Sequence, residues 1–438
     1  MGRTPMAELD AAVLERLEAY AAHFARGFGR IERTQWAGVY LQGLLLDGER
    51  KSIEPLSRRV AVPGWHGDTE QALQLFVNQS PWEQTAVLRT YRALMAEQFA
   101  DPEAVIIIDD TGFPKKGTHS VGVARQYSGT LGKRDNCQVA VSLHYAAPGG
   151  DYPLALRLYL PESWTDDPAR LAEAHVPEAE QVFQEKWRIA LGMLEEVRTE
   201  GLPHRAVVAD AGYGEIGAFR RELEARGETY LVGLNGEEVV HTVPTMWEMK
   251  PHKPRGRPPR RWYPVAGTPR PLAVHTLAEM LERTPVTWRM GTKGPLHAEF
   301  AWLRVWPGYG RQAGRAAQDV PDPESRWLLV EWRTDGTIKY ALSNLPPETT
   351  IEQAAALWKS RWQVEQGYQQ LKEELGLDHF EGRSWPGFHH HATLTFLAYG
   401  FLAVERARGT ATSLDSEPEP TSSPPRPRRR RARVAPSG

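Results

Sequence analysis

Cysteine is almost absent from this chain: Cys137 stands alone in 438 residues. An intramolecular disulfide is thereby excluded, and such usage fits a reducing compartment. A long hydrophobic run is also missing. The longest apolar segment, around Leu394 to Val404, is too short and too interrupted to span a bilayer. Met1 to Asp10 is polar with no apolar stretch behind it, so no secretory signal is legible and a cytoplasmic location is expected. Excess charge of either sign is lacking too, with 53 Lys and Arg against 55 Asp and Glu. The net charge of −2 gives no global reason to bind nucleic acid, so any such reason must come from local clusters. No internal repeat is evident. What remains is an ordinary globular composition, 41% hydrophobic and 25% charged, on a chain long enough for two or three domains.

The pattern along the chain predicts a mixed α/β protein. From about Ala7 to Gln98 apolar residues recur at helical spacing, as in Tyr40-Leu41-x-x-Leu44-Leu45-Leu46, with breaks at Pro63-Gly64 and Asn78 to Pro81. Ala104-Val105-Ile106-Ile107-Ile108 is a β-branched run with the length of a buried strand, ending on Asp109-Asp110. Strands at Gln138 to Ala147 and Tyr152 to Leu160 flank the turn Pro148-Gly149-Gly150-Asp151. A long helix from about Pro177 to Glu200 follows, then strand Ala206 to Ala209 ending on Asp210, helix Ile216 to Arg226 and strand Thr229 to Leu234. Between Asn235 and Asn344 tryptophans alternate with polar residues in short strand-like runs, closed by the hairpin turn Thr334-Asp335-Gly336-Thr337. These are expected to be mostly sheet core, with stacking on unpaired bases as the other use of such rings.

One helix carries an unusual set of groups. Trp358, Arg361, Glu365, Tyr368 and Lys372 are spaced by three, four, three and four residues and fall on one stripe at 100° per residue. Leu357, Val364, Leu371 and Leu375 form an apolar line beside it. A capping box, Thr350-x-x-Gln353, marks the start and Gly376 the stop. Asp109 and Asp210 each close a strand and open a glycine-containing turn, where α/β sheets place functional residues. Two such carboxylates and a third from a helix suit Mg²⁺, which takes oxygen ligands and keeps positions for water and phosphate. Read singly, each Asp is a turn residue and Glu365 an ion-pair partner.

The motifs Asp109-Asp110-Thr111-Gly112-Phe113-Pro114-Lys115-Lys116-Gly117, Asp210-Ala211-Gly212-Tyr213-Gly214 and Trp358-x2-Arg361-x3-Glu365-x6-Lys372 resemble those of DDE transposases of bacterial insertion sequences. The closest group has Tyr-Arg-Glu-Lys as its third motif, with Trp358 here in place of the Tyr. The likeness runs from roughly Trp36 to Arg408. It implies an RNase H-like mixed sheet with flanking helices, a β-rich insertion between the second Asp and the Glu, and an N-terminal helical domain. The expected parts are a helical DNA-binding region at 1–100, the catalytic core at 101–235 and 346–408, the insertion at 236–345 and a disordered Arg-rich tail at 409–438. Asp109, Asp210 and Glu365 would then be the catalytic metal ligands, for Mg²⁺ or Mn²⁺ in its place. Asp110 is the alternative first ligand; Asp109 is favoured because the resembling group tolerates Glu at the second position. Arg361 and Lys372 would hold phosphates, with Trp358 and Tyr368 beside them.

The implied partners are the terminal inverted repeats and target DNA, bound by a homodimer near the nucleoid, with no membrane involved. The implied activity is metal-dependent cleavage at element ends and transfer of the 3′-hydroxyl into target DNA. A DNA-binding descendant that no longer cuts and another RNase H-like nuclease are the other readings. Local basic clusters would add phosphate contacts, with a solvated loop as the other reading of the one that follows the first Asp. Lys115 and Lys116, with Arg125, Lys133 and Arg134, follow the first Asp. Arg255-Gly256-Arg257-Pro258 has the shape of a minor-groove hook, or else is a basic loop touching phosphates. The arginines from Arg426 to Arg433 would be a salt-sensitive tether. His389-His390-His391 cannot all face one ion on a helix, so packing or phosphate contact is expected, and Cys137 should be a buried small residue.

Overall fold

The computed structural model describes residues 9–129, 132–249, 262–291, 294–308 and 324–415. Helices at Ala11–Ala22, Ala25–Phe28, Ile31–Leu45, Ile53–Ser57, Thr69–Asn78 and Gln84–Phe99 build the N-terminal part. They pack through Tyr20, Tyr40, Phe76 and Tyr91 against the 31-residue helix Trp385–Asp415. No helix among the described residues is long and apolar enough to cross a membrane.

The strands follow: β1 (Val105–Pro114), β2 (Ala124–Ser128), β3 (Lys133–Ala147), β4 (Gly150–Leu158), β5 (Ala206–Ala209) and β6 (Tyr230–Leu234). Next come β7 (Val239–His241), β8 (Trp247–Met249), β9 (Trp262–Pro264) and β10 (Leu272–Ala273). The last four are β11 (Thr284–Gly291), β12 (Gly294–Pro307), β13 (Arg326–Trp332) and β14 (Ile338–Ser343). Twelve strands form one mixed sheet in the order β10-β7-β12-β13-β14-β6-β5-β1-β3-β2, with β4 also on β3 and β11 on β12. β3 runs antiparallel to β1 and β4, while β5 and β6 run parallel to β1. Leu234 pairs with Tyr340, so the Trp-rich strands continue the central sheet. This is a mixed α/β fold with a large sheet and flanking helices.

β1 is central and covered on both faces, which explains its unbroken apolar run. Ile106 and Ile108 enter the core shared with the N-terminal helices, while Val105 and Ile107 face Leu357, Trp358 and Val364. Two expectations need correction. β1 does not end on the aspartates: Asp109 to Pro114 stay paired with Ser142 to Cys137, because an antiparallel partner satisfies their backbone where a turn was expected. The helix before β5 starts at Lys186, preceded by a single 3₁₀ turn at Glu178–Glu180 rather than a full helix from Pro177.

The expected Thr350 to Gly376 helix keeps its capping box and its stop, with Gly376 at φ +69°. Its middle is not one regular helix. It runs as Ile351–Lys359 and Trp362–Gln369 with a π-helical turn at Gln370–Glu374, and the amides of Gln363 and Val364 bond three residues back. Leu357, Val364, Leu371 and Leu375 are all buried as the spacing predicts. The three histidines serve packing: His390 stacks on Trp82, and their rings bond Trp385, Val77, Trp82 and Gly376 carbonyls. Cys137 is buried. Arg255, Arg257 and the arginine tail lie outside the described residues.

Candidate active site

Strand alternation separates the two adjacent aspartates. Asp110 shares a face with Ile106 and Ile108, where Oδ2 pairs with Lys186 Nζ at 2.5 Å and Oδ1 accepts from the Tyr213 hydroxyl at 2.5 Å. Asp109 points to the other face, the one covered by the helices Ile351–Lys359 and Trp362–Gln369. Its cross-strand neighbour Ser142 donates to the Asp109 carbonyl oxygen at 3.2 Å.

Asp210 follows directly on β5, whose Ala209 pairs in parallel with Ile108. The two carboxylates therefore leave adjacent strands at the same level. Asp210 also caps the short helix Ala211–Gly214, accepting from the Tyr213 amide at 3.4 Å. Glycine is required where this turn lies on β6. A Cβ on Gly214 would stand 1.9 Å from the Gly233 carbonyl oxygen, and one on Gly233 would stand 2.6 Å from the Ala211 amide.

Electrostatics follow from the placement. Burial pushes the Asp109 carboxyl up to about 7, Asp210 adds to the rise and Arg361 opposes it. Arg361 lies 5.2 Å from the Trp358 ring, and its buried Nε has no hydrogen-bond partner. Lys372 donates to the Gly112 carbonyl at 2.9 Å, and burial draws its pKa down while Asp378 and Asp109 hold it up. Tyr368 bonds Ser142 through its hydroxyl, and burial raises its pKa far above the usual value.

Glu365 is not gathered with the aspartates. It is exposed, and together with Arg361 it lines a cleft of about 720 Å³ between the Trp358 helix and the β11 to β13 strands. Among the described residues no three His, Cys, Asp or Glu side chains stand close enough to hold a metal ion. The Asp109–Asp210 pair nevertheless suits a hard divalent cation: two oxygen donors with adjoining negative charge, one of them made costly to ionise by burial.

Several groups sit differently from a stripe of DNA contacts. Trp358 is only 5% exposed and its indole N–H donates to Glu331, so the ring belongs to the core. Tyr368 is turned inward onto Ser142. Lys115 Nζ donates to the Phe380 carbonyl at 2.7 Å, whereas Lys116 is exposed. Ser142, Lys186 and Glu331 were invisible in the sequence, since only strand register and tertiary packing bring them to the motifs.

The chain is 31% identical over 204 residues to "Probable transposase for insertion sequence element IS701" of Microchaete diplosiphon, a match covering 46% of this chain. It spans about half (49%) of the length of that relative. A solved structure of a piggyBac transposase synaptic complex with hairpin DNA aligns over 97% of this chain and 80% of its own, at 9% identity and a TM-score of 0.34. So remote a likeness carries no weight for the fold. The DDE superfamily endonuclease family matches residues 23–295, a stretch that contains Asp109 and Asp210 and ends before Glu365. That match takes in more than half of the chain, the motif resemblance to insertion-sequence DDE transposases is borne out, and the chain belongs to the DDE superfamily endonuclease family.

Proposed function

We propose that this chain is a transposase that cuts DNA at the ends of an insertion sequence and joins the freed 3′-hydroxyl to target DNA. The observation that carries this reading is the Asp109–Asp210 pair. It stands on adjacent parallel strands, under the helices that hold Arg361, Glu365 and Lys372. The order β4-β3-β1-β5-β6, three strands antiparallel and then two parallel to β1, supports an RNase H-like core. Within it, 236–345 would be the insertion and 1–100 the end-binding region.

Asp109 and Asp210 would hold Mg²⁺, or Mn²⁺ in its place, and Glu365, exposed in the neighbouring cleft, would have to move toward them to serve as the third carboxylate. When bound, the metal supplies activation of the attacking oxygen and stabilisation of the leaving one. The protein's own groups do the rest. Arg361, with an unpaired Nε beside Asp109, offsets charge on the scissile phosphate. Lys372, fixed on the Gly112 carbonyl, keeps a second cation in the π-helical turn that follows. Trp358 and Tyr368 hold that helix in place. No protein nucleophile is needed, because water and then the 3′-hydroxyl attack phosphorus. Two element ends must be joined, which favours a homodimer on DNA.

The test is incubation of the protein with a labelled duplex carrying the element's end, in Mg²⁺ or in EDTA. Cleavage at the boundary only with metal is expected, and Glu365→Gln should abolish it while leaving end binding nearly intact. Tight binding without cleavage by the unaltered chain would move the reading to a DNA-binding descendant that no longer cuts.

A further inference from the structure

Away from the aspartates, a second groove of about 1110 Å³ opens between the helix Thr69–Asn78 and the β2–β3 ribbon. The helix turns Leu73, Phe76 and Val77 into the core. Its opposite side presents Gln71, Gln74, Leu75 and Asn78 at spacings of three, one and three residues, one continuous stripe along the groove. Amide side chains on a helix face are the groups that read adenine edges, each with a donor and an acceptor side by side. Gln71 and Gln74 are exposed, with the Gln74 amide donating to Glu70 at 3.0 Å, while Asn78 is half-buried and donates to the Gln74 carbonyl at 3.1 Å.

The ribbon wall is cationic. Register pairs Arg125 with Asn136 and Tyr127 with Arg134, so these four leave the same face; Arg125 and Asn136 line the groove, and Tyr127 and Arg134 extend that face beyond it. Arg125 and Arg134 are exposed, Tyr127 is 61% exposed, and the nearby Asp135 is engaged with Lys133 at 3.0 Å. Arg383 is exposed at the groove's edge, and Arg170 is held over the Trp164 ring at 3.8 Å while donating to the Thr118 carbonyl. Glu381 on the same rim pairs with Arg50. The Lys115–Gly117 loop touches this ribbon through Asn136, which donates to the carbonyls of Lys115 and Gly117, and it continues directly from β1.

We infer that this groove is a DNA-contacting surface: the ribbon arginines bind phosphates, and the glutamines of the Thr69–Asn78 helix read base edges of the element's end. The assignment rests on the transposase reading and adds the place where the end sequence is recognised. Phosphate contacts hold the duplex in register without selecting sequence, so the two walls have separable signatures.

The experiment measures binding of the full chain, in EDTA, to a duplex of the element's end and to a scrambled duplex of the same composition, across a salt series. Arg125→Ala with Arg134→Ala should weaken both duplexes alike and flatten the logarithmic salt slope by about 2. Gln71→Ala with Gln74→Ala should weaken the end duplex by on the order of tenfold and leave the scrambled one unchanged. Loss of both by either pair with a lowered melting temperature would mean misfolding; Gln71→Glu with Gln74→Glu, which keeps the helix face polar, must then still abolish the end preference. Wild-type preference intact, with both pairs binding as wild type, overturns this surface alone. A wild-type chain that binds neither duplex overturns the transposase reading and this surface with it.

Discussion

The indole N–H of Trp358 donates to Oε2 of Glu331 at 2.8 Å, tying the first residue of the third motif to a carboxylate that is 0% exposed. Lys359 and Arg333 complete the charge balance around Glu331. The Trp-rich strands thus fix where the helix bearing Arg361 and Glu365 starts. Trp358→Phe removes the donor and leaves a smaller aromatic ring in its buried place. It should cost about 1–3 kcal/mol, the range for leaving a buried acceptor short of a partner. Urea unfolding reads the change, and an unaltered midpoint would show the bond to be dispensable.

The two adjacent aspartates should separate cleanly on mutation. Asp109→Asn is expected to abolish metal-dependent nicking while the fold keeps or gains stability, because it removes a carboxylate buried beside Asp210. Asp110→Ala leaves the buried Tyr213 hydroxyl and Lys186 without their acceptor. A loss of about 1–3 kcal/mol is expected there, with nicking retained. Nicking by the first variant and not the second would reverse the assignment.

Stability of the metal-free protein should carry the mark of Asp109. Its carboxyl titrates near 3.8 when unfolded and at about 7 when folded, so the folded state binds the extra proton between those values. Stability from this group therefore falls as pH rises from about 4 to 7, by no more than roughly 4 kcal/mol. Asp109→Asn should lack that slope. Added Mg²⁺ should raise the melting temperature more at pH 8 than at pH 5, since the ligand must be deprotonated. Equal shifts at both pH values would argue against Asp109 as a ligand.

Gly367 marks how closely the Trp362–Gln369 helix lies on the sheet. A Cβ there would stand 2.6 Å from His144 Cε1, and His144 is itself held by Asp151 at 2.9 Å. Gly367→Ala should push the helix away from Asp109. A cost of about 1–3 kcal/mol is expected, with a fall in nicking larger than the stability loss explains. Wild-type nicking would mean that the helix position tolerates the shift.

Whatever is written in short-range pattern was legible from the residues alone. β-branched composition located β1 and β5, helical periodicity the N-terminal helices, and hairpin turns the β3–β4 and β13–β14 connections. The capping box and Gly376 bounded the motif helix, and the apolar line named its buried residues. Motif order was enough for the family. Tertiary structure alone decided which way each side chain looks and what it meets. Asp109 and Asp110 are equivalent in composition and become different only because alternation sends one toward Arg361 and the other toward Lys186. The uniform stripe from Trp358 to Lys372 assumed 100° per residue. The three-residue bonds at Gln363 and Val364 and the π-helical turn change that angle locally, with Trp358 buried, Tyr368 half-buried and Glu365 exposed. Such departures depend on partners such as Glu331 and Ser142, which lie 27 and 226 residues away in the chain. Contacts across that separation are set by register and packing, on which no local spacing bears.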